Sequence, residues 1–133
     1  MKERISSRRG YITLLGLIVI GGAALSLTLS LLSFGLTASR TAASFQDATQ
    51  ARFLGDACAE EALQQLHDNT SFVGSGSLST GGGTCTYAIS RAGNSRTIQA
   101  VGNKNGFVRR VSVSVTSVTP RLTIGAWSEV AAF

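Results

Sequence analysis

Residues 11–36 read YITLLGLIVIGGAALSLTLSLLSFGL, and this run determines how the rest of the chain is interpreted. No Asp, Glu, Lys or Arg occurs between Tyr11 and Ser39. The 25 residues from Ile12 to Leu36 would form a helix long enough to cross a hydrocarbon core of about 30 Å. The sequence therefore predicts one membrane-spanning helix, which we assign to residues 11–38.

A compact cationic segment precedes the apolar run. Residues 1–10 read MKERISSRRG, with four basic residues against Glu3. Because positive charge stays on the cytoplasmic side, we expect a single pass through the cytoplasmic membrane with residues 1–10 inside and residues 39–133 outside. A secretory signal cut near Ser39 is the alternative, but its apolar region would be only about 7–15 residues long, so the length favours an anchor.

Residues 39–68 are predicted to continue as an amphipathic helix, because apolar side chains recur every three or four positions. This stripe consists of Ala48, Ala51, Leu54, Cys58, Ala62 and Leu66. The opposite face consists of Arg52, Asp56, Glu60 and Gln64. Gly55 is the one helix breaker in this stretch. We expect the outer half of one long helix here, and a separate helix after a flexible joint at Gly35 remains open.

The composition of residues 69–133 indicates a small antiparallel sheet. Residues 71–83 are rich in Gly and Ser and predict either a loop or a short edge strand. The predicted strands are 84–90, 96–101, 108–118 and 122–130, with turns at 91–94 and 102–106. Short connections favour a meander, and one face of it should cover the apolar stripe of the helix, because neither surface is stable in water. The predicted fold class is therefore α+β, with a long helix on an antiparallel β-meander.

The only two cysteines, Cys58 and Cys85, fall on the predicted helix and on the first predicted strand. In an exported domain an even pair of cysteines predicts a disulfide. Such a bond would stabilise the domain by about 3–4 kcal/mol in the chain-entropy model. Two separate buried thiols are the alternative.

Two side chains on the predicted strands are candidates for subunit contacts. Arg109 shares a strand face with Val111, and it either pairs with a helix carboxylate such as Glu60 or Glu61 or simply ends the strand. Trp127 is expected on the face opposite Ile124 unless a bulge intervenes. In that position it either contacts a neighbouring subunit or belongs to the core.

Charge is divided between the helix and the sheet. Residues 39–68 carry two basic and five acidic side chains, and residues 69–133 carry six basic side chains and Glu129. The opposite signs either complement each other within one subunit or align neighbouring subunits. The basic sheet also raises nucleic acid as a partner, although the absence of clustered aromatic residues argues against it.

The sequence offers little for catalysis, and its length excludes a large multidomain enzyme. The only histidine, His67, is next to Asp68 and has no partners at metal-ligand spacing. The three glycines at 81–83 lack the Lys of a phosphate-binding loop. We expect no enzymatic activity, no metal and no cofactor.

The junction between leader and apolar run resembles that of the type IV pilin-like family, which includes the pseudopilins of type II secretion. Arg8, Arg9 and Gly10 pass directly into Tyr11, and in that family a basic leader ends in Gly before an aromatic residue opens a long helix. The resemblance implies that a prepilin peptidase cuts between Gly10 and Tyr11 at the cytoplasmic face and that the new N-terminus is methylated. It also implies a long helix packed on an antiparallel sheet.

Leu15 departs from the family pattern, in which the fifth mature residue is mostly a Glu. That Glu neutralises the N-terminal amine of a neighbouring subunit, which would be costly to bury unpaired. The resemblance therefore implies a minor subunit, especially one at the tip, of a type IV pilus or type II secretion-like fibre, with other pilin-like subunits as partners. A DNA-binding tip subunit and a single-pass anchored domain with an unknown binding role are the alternatives.

Overall fold

The computed structural model describes residues 4–133, with side chains from Gly10 onwards. The described elements are α1 (Arg4–Asp68), β1 (Gly74–Thr80), β2 (Gly83–Ala92), β3 (Ser95–Lys104), β4 (Phe107–Ser117) and β5 (Thr123–Val130). The chain divides into two compact units, residues 1–42 and 43–133. The charged side chains of the predicted leader, residues 1–10, lie outside the described residues.

The first unit contains the apolar run of α1. Every large apolar side chain from Tyr11 to Leu36 is at least half exposed, with Leu15 the least exposed at 50%. By length and composition this part of the helix suffices to cross a membrane. It is consistent with a single-pass membrane anchor.

The second unit is an α+β domain in which α1 packs on a five-stranded antiparallel sheet, as predicted. The strands follow the order β1-β2-β3-β4-β5, so each strand pairs with the next one in sequence. The segment at 71–83, for which a loop or an edge strand was open, contains the edge strand β1. Its turn to β2 is made by Gly81 and Gly82, whose φ angles of 59° and 70° favour glycine.

The prediction of a turn at residues 102–106 is wrong in part, because β3 continues through Lys104. Ile98, Ala100 and Gly102 alternate on the buried face of β3. A Cβ atom on Gly102 would overlap the carbonyl oxygen of Ala51 and the amide nitrogen of Gly55 in α1. The glycine thus marks a close approach of helix and strand, and the turn itself is confined to Asn105 and Gly106.

The core lies between α1 and the inner face of the sheet. Five members of the predicted helix stripe are buried, namely Ala51, Leu54, Cys58, Ala62 and Leu66. They pack with alternate strand residues that include Ile98, Val111, Val113 and Val115. Gly55 lies within the continuous helix that was predicted for residues 39–68, and a Cβ there would lie 3.3 Å from Cγ2 of Val111.

The predicted disulfide between Cys58 and Cys85 is present. It joins the middle of the packed part of α1 to β2, and both residues are fully buried. The two bonded cysteines are 27 positions apart in the sequence. The bond therefore closes a loop that includes the end of α1, β1 and the first turn.

Candidate functional site

The predicted processing junction lies within α1. Gly10 has open space around the position of a Cβ atom, and Tyr11 is 67% exposed. The hydroxyl of Thr13 donates to the carbonyl oxygen of Gly10 at 2.9 Å. The peptide bond after Gly10 therefore lies within the helix, with no described side chain beside the position of a Cβ on Gly10.

The hydroxyl groups of the apolar segment bond to the backbone of their own helix. Ser26 donates to the carbonyl oxygen of Ala23 at 2.8 Å, and Thr28 donates to that of Leu25 at 2.8 Å. Ser30 and Ser33 donate to carbonyl oxygens three or four residues earlier in the same way. Because these polar groups are satisfied within the helix, they add little cost in an apolar environment.

Arg109 belongs to a small ionic cluster between α1 and β5. Its Nη1 lies 3.3 Å from Oε1 of Glu129, and Nε of Arg52 on α1 lies 3.6 Å from Oε2 of the same carboxylate. Of the two alternatives left open for Arg109, pairing with Glu60 or Glu61 on the helix or simply ending the strand, the structure shows neither, because its partner is Glu129 on β5. The reason is the strand register, since Glu129 is the cross-strand partner of Val111, two residues from Arg109 on the same face.

Trp127 lies on the helix-facing side of β5. A register shift between β4 and β5 pairs Val113 with Trp127 and Val115 with Ile124, so Trp127 and Ile124 share one face instead of opposite faces. The indole Nε1 donates to Oδ1 of Asp56 at 3.2 Å. Trp127 keeps 39% of its surface exposed, so it is neither a core residue nor a freely exposed one.

The ionic cluster and part of α1 enclose a cleft of about 340 Å³ on the β5 side. Its walls include Phe45, Thr49, Arg52, Arg109 and Glu129. The exposed ring of Phe45 gives the cleft an aromatic wall next to one carboxylate and two guanidinium groups. Such a cleft presents mixed apolar and charged contacts, as the rim of a subunit interface does.

A second cleft, which the sequence reasoning missed, lies on the β1 side of α1. Its volume is about 310 Å³, and it is lined by Gln50, Phe53, Leu54, Ala57, Thr80 and Gly81. Phe53 is 67% exposed. Gln50, Phe53 and Ala57 recur at helical spacing and define a third face of the helix, between the apolar stripe and the polar face. This face was not predicted, because the neighbouring apolar stripe gives the stronger periodic pattern.

The basic side chains of residues 69–133 are mostly engaged within the domain. Arg96 is 4% exposed, and its guanidinium donates to the carbonyl oxygens of Thr70, Gly93 and Ser95 at 2.9–3.2 Å. Lys104 donates to the carbonyl oxygen of Gly81 at 2.8 Å. Arg109 is likewise engaged, through its pairing with Glu129.

Within the part of the chain that the structure describes, no three His, Cys, Asp or Glu side chains come together as a possible metal site. His67 lies exposed at the end of α1, with Nδ1 3.4 Å from Oδ1 of Asp68. Of the candidate contact residues, Arg109 and Trp127 lie on the same flank of the second unit, beside Arg52 and Asp56 of α1. Leu15 lies in the apolar segment of the first unit.

The chain matches no protein-family model, no curated protein and no solved structure.

Proposed function

We propose that this protein is a minor pilin-like structural subunit of a type IV pilus or a type II secretion-like fibre. The observation that carries the proposal is the division of α1. One end of the helix is an exposed apolar run, and the other end covers an antiparallel sheet to which a disulfide joins it. A subunit that is stored in a membrane and then assembled through its helix needs both features.

The proposed mechanism is mechanical. A prepilin peptidase removes residues 1–10 at the cytoplasmic face, and with them four basic residues. Without this charge the apolar helix can leave the bilayer sideways and pack against the helices of other subunits. Residues 12–36 then exchange lipid neighbours for protein neighbours and stay out of water throughout.

Leu15 supports a minor position in the fibre. An apolar residue at this position offers no counter-charge for the amine of an adjacent subunit, and an unpaired buried ammonium is costly. A subunit with no neighbour beyond it does not need that counter-charge. The proposal therefore assigns the chain to the tip or to a rare position rather than to the repeating shaft.

N-terminal sequencing of the mature protein, expressed with an active prepilin peptidase, tests the proposal. We expect the mature chain to begin at Tyr11 and to carry a methylated amine. Gly10→Val should block the cut, because a side chain at this position prevents the backbone from approaching the peptidase closely. Gly16→Val, within the apolar run, is the matched control and should leave processing unchanged.

Two other results would contradict the fibre role. A mature chain that begins at Met1 would indicate a plain membrane anchor. A mature chain that begins near Ser39 would indicate a secreted domain freed from its signal. In both cases the α+β domain would act alone, and residues 12–36 would have no role in assembly.

A further inference from the structure

Residues 69–71, between α1 and β1, read NTS and match the acceptor pattern for N-linked glycans. Because the pattern is short and occurs by chance in many chains, its structural surroundings decide whether it can be used. An acceptor asparagine has to lie on a surface loop of an exported domain. Asn94, Asn103 and Asn105 do not match the pattern, because the second residue after each of them is neither Ser nor Thr.

The three residues of the pattern lie in the turn that follows the last residue of α1, and all three are exposed. On either side the chain returns to the core, through the buried Leu66 in the last turn of the helix and through the partly buried Phe72. The turn belongs to no strand, since β1 begins at Gly74. A bulky group attached here would therefore meet solvent and would not interrupt the pairing of the sheet.

The carboxamide of Asn69 and the hydroxyl group of Ser71 lie side by side. Oδ1 of Asn69 accepts a hydrogen bond from the Ser71 hydroxyl at 2.7 Å and another from the Ser71 backbone N–H at 3.1 Å. Nδ2 of the same carboxamide makes no hydrogen bond within the residues that the structure describes. The nitrogen that would carry a glycan and the hydroxyl that defines the pattern are thus presented together, so one enzyme site can contact both.

The backbone of this turn is held in place from both sides. The N–H of Asn69 donates to the carbonyl oxygen of Gln65, and the N–H of Phe72 donates to that of Asn69, both at 2.9 Å. The buried guanidinium of Arg96 donates to the carbonyl oxygen of Thr70 at 2.9 Å. These bonds involve only backbone groups of the turn, so they leave the side chains of residues 69–71 available.

The disulfide gives a separate indication that this turn is exported. Cys58 and Cys85 are bonded, and such bonds persist in oxidising compartments outside the cytoplasm. Asn69 lies within the loop that the bond closes, so the turn and the disulfide share one compartment. N-linked glycans are likewise a feature of secreted surfaces.

We propose that Asn69 is the acceptor of an N-linked oligosaccharide, which a membrane-bound transferase delivers from a lipid pyrophosphate carrier. In this step Nδ2 of Asn69 forms a bond to C1 of the first sugar, and the bond between C1 and the pyrophosphate oxygen breaks. The lipid pyrophosphate leaves with the electron pair, and one proton of Nδ2 passes to a base of the transferase. The inference requires export of residues 43–133 but no role in a fibre.

Mass spectrometry of the full chain, purified from the membranes of its own cells, tests this proposal. The intact mass should exceed that of the polypeptide by an oligosaccharide, and fragmentation should place the added mass on Asn69. Asn69→Gln should lose this mass completely. Asn94→Gln is the matched control and should retain it, because Asn94 is exposed in the turn between β2 and β3 but lies outside any acceptor pattern.

Two pairs of variants separate the acceptor pattern from the fold. Ser71→Ala removes the required hydroxyl and should abolish the added mass, whereas Ser71→Thr keeps a hydroxyl and should retain it. Thr70→Pro should abolish the added mass, because the pattern excludes proline at its middle position, whereas Thr70→Ala should retain it. Proline is compatible with the second position of a β-turn. The fluorescence of Trp127 reports whether each variant is folded, and either pair suffices if a member of the other fails to fold.

Several results would overturn the inference. One is an unmodified Asn69 in the chain from its own cells. Another is an added mass that survives Asn69→Gln or Ser71→Ala. A glycan attached to the hydroxyl of Thr70 or Ser71 would also contradict the proposal, because the linkage would then be to oxygen. N-terminal sequencing of the same sample reports on the fibre proposal separately, since a start at Tyr11 is compatible with either result at Asn69.

Discussion

Residues 12–36 and 43–68 belong to the same helix but meet their surroundings in opposite ways. In the first segment the large apolar side chains lie exposed on all sides, whereas in the second a single stripe is buried and the exposed surface combines polar side chains with the rings of Phe45 and Phe53. The backbone hydrogen bonds and the helical repeat are the same in both. What differs is the environment that suits each surface. Residues 12–36 suit lipid or a bundle of other helices, whereas residues 43–68 suit a sheet on one side and water on the other.

The glycines show the same contrast on a smaller scale. Gly21 and Gly22 have nothing within 4 Å of an added Cβ atom, so no described contact requires them to be glycine. Gly55 lies against β3 and β4, and Gly102 faces it from β3 at a distance that leaves no room for a side chain. Gly55 and Gly102 are therefore packing residues, whereas Gly21 and Gly22 are not packed against any described residue.

The largest expected effect is a loss of stability of residues 43–133, with the first segment unaffected. Reducing the disulfide between Cys58 and Cys85 should lower the free energy of unfolding of residues 43–133 by about 3.5 kcal/mol, because the open chain regains loop entropy. The measurement is denaturant unfolding of the full chain in detergent, followed by the fluorescence of Trp127 with and without reductant. Membrane attachment should not change.

The control for this experiment is a chain with Cys58→Ala and Cys85→Ala, on which reductant should have no effect. Equal stability of the oxidised and reduced chains would mean that packing alone holds α1 to the sheet. Loss of membrane attachment upon reduction would contradict the independence of the two segments.

A charge introduced into the first segment should impair membrane attachment rather than the folding of residues 43–133. Leu25→Asp, at the middle of the apolar run, should raise the free energy of membrane insertion by about 2.5–3.5 kcal/mol. Ala42→Asp, beyond the run, should insert as the original chain does. The measurement is the fraction of chain that remains with membranes after alkaline extraction, and equal fractions for both variants would contradict the anchor.

The smallest of the three effects compares glycines directly. Gly102→Ala should lower the free energy of unfolding by about 2 kcal/mol, because the added methyl group forces α1 and β3 apart. Gly22→Ala should leave it unchanged, since no described atom lies near the added group. Unfolding of both variants in detergent by Trp127 fluorescence checks this. Equal stabilities would mean that the contact between Gly102 and α1 relaxes at no cost.

Much of the fold was predictable because it depends on local patterns. The alternation of Val111, Val113 and Val115 with serines predicted β4, and the helical spacing from Ala51 to Leu66 predicted the buried stripe. The end of β3 was mispredicted because Gly102 is a common turn residue. Its role as a close-contact residue depends on Ala51 and Gly55, which are distant in sequence.

The candidate site was less predictable, because its geometry depends on strand register. The position of Trp127 depends on a bulge between β4 and β5 that no sequence signal specified. The choice of Glu129 as the partner of Arg109 follows from the same register. The cleft beside Phe53 combines a helix face with a turn about 30 residues later, and neither segment alone indicates it.

By itself, the sequence established an uncharged run long enough for a membrane, an amphipathic helix after it, strands in an antiparallel order and a cysteine pair. These follow from composition and periodicity, which are properties of neighbouring residues. The ionic cluster at Glu129, the hydrogen bond from Trp127 to Asp56 and the cleft beside Phe53 required the folded chain. They depend on register and on distances between segments far apart in sequence, and those quantities are set only when the helix and the sheet pack together.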